Sequence, residues 1–195
     1  MAKRLVELFD LDEFVFLPAY HAPHKPDRPP TSAYHRFAML ALATQAEPRI
    51  SVSTLELNHA EKRYTVETLP EIMDQYAGSD VFFVMGADSW SEITTWREWE
   101  KVLLMTNHIV VTRPGYEIGL DHVTDAVRER IVDLRDRDDV AGQYSGFRIY
   151  ITDAVRVDVS ATEIRDDVSA DDRLDRADDV PQEVAKYIEK YELYR

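Results

Sequence analysis

The chain has 195 residues, no cysteine and a formal net charge of −14. This length suits one domain, and the absence of thiols excludes disulfides and thiolate metal sites. The acidic charge argues against nucleic-acid and anionic-membrane partners, because its long-range field would repel both. No apolar run reaches membrane-spanning length and the first residues lack the apolar region of a signal peptide, so a cytoplasmic location is expected.

Strand-like and helix-like patterns alternate along the whole chain. In chain order they are a strand at 13–19, a helix at 32–46, a strand at 49–57, a helix at 65–77, a strand at 80–88, a helix at 96–106, a strand at 108–115, a helix at 120–136, a strand at 147–154, a short helix from 160 and a helix at 181–193. Pro70 is expected to kink the second helix or to restart a turn. This alternation predicts right-handed βαβ units and a parallel sheet with both faces buried, in one α/β domain over 1–195.

All three tryptophans fall within residues 84–101, VMGADSWSEITTWREWEK. The segment begins as the strongest buried-strand pattern of the chain and then becomes rich in aromatic residues. Trp90, Trp96 and Trp99 directly follow a strand's carboxyl end, where large flat rings suggest a binding surface.

Basic and polar side chains follow the other predicted strands. Ligands of open α/β sheets bind outside the carboxyl ends of the strands, so residues there are the natural candidates. The candidates are His24 and Lys25 after the first strand, Tyr64 and Thr65 after the second, Gly86 and Asp88 after the third, Arg113 after the fourth, and Ser160, Thr162 and Arg165 after the last. Cations and helix N-termini suit phosphates, a carboxylate suits ribose hydroxyls, and an indole suits a flat heterocycle. Together they predict a nucleotide site.

Nine stretches form an ordered set of motifs: VFLPAYHAPHK, HRFAMLALA, ISVSTLEL, RYTVETL, VFFVMGADSW, TTWREWE, HIVVTRPGY, VDVSATEIR and YIEKYELYR. In kind and in order they resemble those of the bacterial nicotinate-nucleotide adenylyltransferases, which belong to the HxGH-containing nucleotidyltransferase superfamily. The resemblance implies a Rossmann-like, doubly wound, mostly parallel sheet with flanking helices.

The resemblance also implies a reaction and its substrates. The 5′-phosphate of nicotinate mononucleotide attacks the α-phosphorus of ATP, deamido-NAD forms, and pyrophosphate leaves. Mg²⁺ is expected to come with ATP, with no metal site built by protein side chains alone. Because the attacking phosphate is already anionic, alignment and charge neutralisation should supply most of the catalysis.

By this resemblance, seven of the candidates would bind ATP. They are His24, Lys25, Gly86, Asp88, Ser160, Thr162 and Arg165. Asp88 would hold ribose hydroxyls and Gly86 would let the nucleotide approach the backbone. His24 and Lys25 would lie near the phosphates, and the last three would cradle them at a helix N-terminus. The alternative for Asp88, as for Ser160 and Thr162, is ordinary capping of a helix.

The remaining candidates would bind the mononucleotide. Trp96 would stack on the pyridine ring, Tyr64 and Thr65 would line the nicotinate pocket, and Arg113 would bind the phosphate. An ordinary threonine at a helix start is the alternative for Thr65. For Trp90 and Trp99 a place in the core or at its rim is expected instead.

One family motif is missing from the sequence. The family opens with a strand and a GGxFxPxHxGH loop whose histidines polarise the ATP phosphates, and this sequence contains no HxGH. Its first residues resemble the helix that follows that loop, so the first strand is expected to be missing and the native protein to be longer. No catalytic residue is therefore assigned. The DNA upstream of Met1 is the check, and a complete chain should show negligible transfer.

Two other functions stay open on sequence grounds. A relative that acts on nicotinamide mononucleotide or on another phosphorylated acceptor would differ by only a few hydrogen bonds. A non-catalytic nucleotide-binding protein would bind the mononucleotide without releasing pyrophosphate. The oligomeric state also stays open.

Overall fold

The computed structural model describes residues 1–20, 31–59, 61–112, 118–135, 146–155, 164–165 and 180–194. The chain divides into two compact units. The first unit contains Met1, Lys3–Leu11 and Arg63–Val157, and the second contains Ala2, Asp12–Lys62 and Asp158–Arg195.

The described elements alternate between helix and strand. The helices are α1 (Ala2–Leu8), α2 (Ala33–Thr44), α3 (Thr65–Gln75), α4 (Ala87–Ser91), α5 (Trp99–Met105), α6 (Asp125–Arg128) and α7 (Gln182–Lys190). The strands are β1 (Phe14–Phe16), β2 (Ile50–Val52), β3 (Phe82–Gly86), β4 (Asn107–Val111), β5 (Ile131–Asp133) and β6 (Ile149–Thr152), and two 3₁₀ turns cover Glu56–Asn58 and Ile93–Thr95.

The first unit contains a four-stranded sheet in the order β3-β4-β6-β5, and every pairing in it is parallel. In register, Val84 lies beside Ile109, Ile109 lies beside Tyr150, and Tyr150 lies beside Val132. The inner strands β4 and β6 are nearly continuous buried runs, as expected where both faces of a parallel sheet are covered. The predicted α/β class with a parallel sheet is confirmed.

One core cluster joins this sheet to the helices of the first unit. Its buried members are Met85, Trp90, Ile93, Leu103, Val110, Val123, Val127, Ile149 and Ile151. They come from three strands, from α4, α5 and α6, and from the turns next to these helices. The helices are therefore fixed by apolar packing against the sheet, which supplies most of the stability of short helices.

The second unit contains the parallel pair β1-β2, in which Phe14 lies beside Ile50. Helix α2 packs against β2 and α7. Val184 and Ile188 of α7 are buried, and Met39 of α2 packs against them. The strand–helix–strand connection from β1 through α2 to parallel β2 is the predicted βαβ unit.

The six described strands form two sheets rather than a single one. The prediction that residues 1–195 form one nucleotidyltransferase domain stays a prediction.

The prediction of one long helix at 120–136 is wrong. Among the described residues 120–135, only the four residues of α6 are α-helical, and the chain then forms β5, which pairs in parallel with β6. The sequence IVDL at 131–134 carries β-branched residues, and Leu134 is 1% exposed. Pairing with the edge of the sheet buries these side chains better than a solvent-facing helix would, so tertiary contact overrides the helical pattern.

Three smaller differences concern element boundaries. Helix α3 runs continuously through Pro70, so the expected restart of a turn is wrong. Helix α5 begins at Trp99 rather than at residue 96, because Glu98 has a left-handed backbone with φ of 50°. β3 is an edge strand, so most of its residues are only half-buried although the sequence predicted a buried strand.

His108 lies on the inner strand β4 and is fully buried. Its Nδ1 is 3.1 Å from the Thr106 carbonyl oxygen, which makes Nδ1 the protonated nitrogen of a neutral ring. Its Nε2 has no hydrogen-bond partner in the described part of the chain. Burial lowers the pKa of His108 to about 4, and the bond to Thr106 opposes this only in part.

Candidate active site

The carboxyl end of β3 leads directly into α4, where Gly86 is the N-cap. Its φ of −81° suits any residue, and an added Cβ would meet no protein atom within 4 Å. Neither backbone conformation nor protein packing therefore requires glycine at this position. The space beside the backbone is open, as the approach of a ligand would need.

Asp88 is the second residue of α4 and is exposed. The alternative that it caps the helix is wrong, since Gly86 occupies the N-cap position. Within the described part of the chain its carboxylate has neither a hydrogen-bond partner nor an ion-pair partner. No contact among the described residues occupies this side chain, which lies at the strand end where a ligand is expected.

Trp90 has a structural role. It is 1% exposed, and its Nε1–H donates to the Gly119 carbonyl at 3.0 Å. His122 packs edge-on against the ring, with centroids 5.4 Å apart, and its Nε2 donates to the Trp90 carbonyl at 2.9 Å. The prediction of a core role for Trp90 is confirmed.

The other two tryptophans pack against the same core cluster and are half-buried. Trp96 ends the second 3₁₀ turn, and its ring meets that of Phe83 on β3 at 84°, with centroids 6.3 Å apart. Trp99 is the first residue of α5. The expected position of Trp99 at the rim of the core is confirmed. The ring of Trp96 packs against the core on one side and is partly exposed to solvent.

Tyr64 and Thr65 form the start of α3. Tyr64 is the N-cap, and its backbone N–H donates to Glu67 Oε2 at 3.0 Å. Thr65 is the first helical residue, and its hydroxyl makes no hydrogen bond in the described part of the chain. Its position at a helix start agrees both with a role in the nicotinate pocket and with an ordinary helix-start threonine, so its role in a pocket stays a prediction.

Sequence reasoning missed a contact that joins α3 to the Trp96 segment. Arg97 Nη1 donates to Glu67 Oε1 at 3.0 Å, and the guanidinium carbon lies 5.1 Å from the centroid of the Tyr64 ring. The glutamate three residues after an N-cap was a visible signal. The N-cap itself is a tyrosine rather than serine or threonine, which hid the pattern, and nothing local indicated Arg97.

Arg36 was also missed. Its Nη2 donates to the Ala19 carbonyl, and its Nε donates to the Thr31 carbonyl at 3.0 Å. These two residues flank the segment 21–30, which carries His24 and Lys25. Burial lowers the pKa of Arg36 from its ordinary value, yet a guanidinium stays charged under all practical conditions.

Arg165 lies in the second unit and is exposed. Its guanidinium carbon is 5.8 Å from the centroid of the Tyr194 ring, within cation–π range. Five predicted site residues lie outside the described residues: His24, Lys25, Arg113, Ser160 and Thr162.

Among the described residues, no group of three or more His, Asp or Glu side chains is placed to hold a metal ion. A search of the same residues for a helix both long enough and apolar enough to cross a membrane finds none.

The family described as cytidylyltransferase-like matches residues 1–167. A Mycolicibacterium gilvum protein named "Probable nicotinate-nucleotide adenylyltransferase" is 31% identical over 100% of this chain and 87% of its own. A Corynebacterium jeikeium protein of the same name is 30% identical over 97% of this chain and 89% of its own. The chain therefore belongs to the cytidylyltransferase-like family and, within it, to the nicotinate-nucleotide adenylyltransferases.

A solved structure supports the fold. The "Plasmodium falciparum nicotinic acid mononucleotide adenylyltransferase complexed with NaAD" matches with a TM-score of 0.70 and 17% identity, covering 99% of this chain and 87% of that one. A second structure of that enzyme, complexed with APC, matches with a TM-score of 0.66 at 16% identity. The Rossmann-like architecture expected from the resemblance is confirmed.

Proposed function

We propose that the protein transfers the adenylyl group of ATP to nicotinate mononucleotide, giving deamido-NAD and pyrophosphate in NAD biosynthesis. The observation that carries the proposal is the likeness, over the whole chain, to relatives named for this activity. The open backbone at Gly86 and the available carboxylate of Asp88 support it, because both lie at the strand end where a nucleotide is expected. A cytoplasmic location goes with the proposal, since ATP is the donor.

For this reaction the protein mainly has to align the two substrates and neutralise the charge of the phosphates. An oxygen of the mononucleotide phosphate forms a bond to the α-phosphorus, and the bond from that phosphorus to the bridging α–β oxygen breaks. Mg²⁺ would arrive with ATP, whose phosphate oxygens suit it as ligands. The cations Lys25, Arg113 and Arg165 would offset the phosphate charge, which is the main catalytic requirement of such a transfer, and His24 would lie near the phosphates.

The remaining proposed roles divide between the two substrates. Asp88 would accept hydrogen bonds from ribose hydroxyls of ATP, beside the backbone of Gly86. Ser160 and Thr162 would contact its phosphates. Trp96 would stack on the pyridine ring, and the start of α3 at Tyr64 and Thr65 would face the nicotinate group; these three residues complete the mononucleotide pocket with Arg113.

The direct test incubates the full-length gene product with ATP, Mg²⁺ and either nicotinate or nicotinamide mononucleotide. Chromatography should detect deamido-NAD, and a coupled assay should find one pyrophosphate per product. Binding of nicotinate mononucleotide with no pyrophosphate release would contradict the proposal and favour a non-catalytic binding protein. Faster turnover of nicotinamide mononucleotide would contradict the proposed acceptor.

The stacking role can be tested with a matched pair of variants. Trp96→Leu and Trp99→Leu make the same change at two half-buried positions that pack on one core cluster. Only Trp96→Leu should weaken mononucleotide binding, by roughly tenfold or more, because stacking on an aromatic ring contributes about 1–3 kcal/mol. Equal weakening by both variants would remove the argument for Trp96.

A further inference from the structure

Glu67 connects two segments of the first unit that are 30 residues apart in sequence. One carboxylate oxygen accepts from the Tyr64 backbone N–H and the other accepts from Arg97, each at 3.0 Å. Arg63 Nη2 also donates to the Glu67 carbonyl at 3.2 Å. The side chain thus caps α3 and binds the segment that carries Trp96 at the same time.

Arg97 contacts the ring of the same tyrosine. Its guanidinium lies 5.1 Å from the ring centroid of Tyr64 while it pairs with Glu67. A planar cation suits this double contact, because it can stack on a ring face and still donate in its own plane. The backbone and the ring of Tyr64 are therefore both tied to one ion pair.

The backbone next to Trp96 needs such support. Trp96 is extended, with φ of −76° and ψ of 144°, and two residues later Glu98 has a left-handed φ of 50°. A non-glycine residue in this conformation persists where surrounding contacts hold it. Arg97 lies between these two residues, and its bond to Glu67 is a contact that fixes this short connection to α3.

We propose that Glu67 and Arg97 are positioning residues of the acceptor pocket, which set the placement of Tyr64 relative to Trp96. The inference rests on the proposed function, in which these two aromatic residues bind the mononucleotide. Neither member of the pair touches substrate in this proposal; each acts through the tyrosine and the tryptophan segment.

Equilibrium binding of each substrate to the full-length protein, measured separately by calorimetry, tests this role. Glu67→Gln keeps an acceptor for the Tyr64 N–H but loses the charge, and Arg97→Lys keeps the charge but loses the planar stack. Each should raise the Kd for nicotinate mononucleotide by about two- to fivefold, as the loss of one exposed charged contact allows. The Kd for ATP should change by less than about twofold.

The control is Lys186→Gln, which removes the exposed pair of Lys186 with Glu183 at 3.4 Å on α7. It should leave both dissociation constants near those of the wild type. The double variant should bind the mononucleotide about as weakly as the worse single variant, because the two residues act as one unit.

Variants that bind the mononucleotide as the wild type does would overturn the positioning role. Parallel weakening of both ligands together with a lower Tm would also overturn it, since that marks a merely structural pair. A wild-type protein that binds no mononucleotide contradicts the proposed function itself, and this is seen before any variant is compared.

Discussion

Acid should destabilise this protein through His108 in particular. The ring is fully buried on β4, and burial lowers its pKa to about 4 from the ordinary 6.5. Between these two values the unfolded state binds a proton that the folded state does not. Stability is therefore fully present above pH 6.5 and falls as the pH drops toward 4.

The size of the effect follows from the shift. The difference between a pKa of 6.5 in the unfolded state and about 4 in the folded state corresponds to about 3 kcal/mol of stability in all, at about 1.36 kcal/mol per pH unit. Because stability changes with pH according to the protons bound in each state, about 1 kcal/mol of this loss should occur between pH 7 and 5.5, and about 2 kcal/mol between pH 7 and 5. A loss of this size matters against a typical folding free energy of about 5–15 kcal/mol.

Urea unfolding at pH 7, 5.5 and 5, in constant salt and at low protein concentration, measures the loss. The isoelectric point of about 4.8 argues against going lower, because proteins with little net charge associate. Carboxyl groups also titrate in acid. The quantity to compare is therefore the change in the free energy of unfolding from pH 7 to pH 5 in the wild type minus the same change in His108→Leu. The variant removes the titrating ring, and any cost that does not depend on pH cancels.

The expected difference is about 2 kcal/mol, with the wild type losing more. Val110→Ala is the control on the same buried strand and should show the wild-type change, because it removes no titratable group. Equal pH dependence in the wild type and in His108→Leu would refute the reasoning, since the ring would then titrate alike in both states.

Three further stability predictions can be checked by the same urea titrations at pH 7. Trp90→Phe should cost about 2–4 kcal/mol, because it loses both core volume and the bond to Gly119; a cost below about 1 kcal/mol would contradict the packing described. Arg36→Met should cost about 1–3 kcal/mol, since two carbonyls lose their donor, and Arg36→Lys should cost less; equal costs would contradict a two-carbonyl role. Pro70→Ala should stabilise by about 1–2 kcal/mol, because an exposed proline inside α3 interrupts its hydrogen bonds, and a loss of stability would show that the ring has a packing role.

The sequence predicted the inner sheet well and its edges poorly. Apolar runs at 108–115 and 147–154 became β4 and β6, because a strand with both faces covered needs an unbroken apolar pattern. The run at 131–134 is too short to show a period of its own. Its strand exists only because β6 offers a partner, and this depends on residues far away in the chain.

The candidate site likewise contains residues that the sequence indicates and residues that it does not. Gly86, Asp88 and Trp96 could be proposed from the sequence because each lies just past a strand or inside a family motif. Glu67 and Arg97 meet across 30 residues. A single glutamate or arginine in an acidic, charge-rich chain carries no local sign of its partner, so only coordinates can join them.

The segment from Gly86 to Glu98 shows why such distant contacts matter for function. It contains a helix of five residues and a 3₁₀ turn of three, and elements this short are not stable in isolation. Its shape therefore depends on side chains anchored elsewhere: Trp90 on Gly119, and Trp96 on Phe83. The ion pair of Arg97 with Glu67 is a further anchor and an exposed one. Exposed ion pairs contribute little to folding, so its loss should loosen the proposed pocket well before it unfolds the sheet.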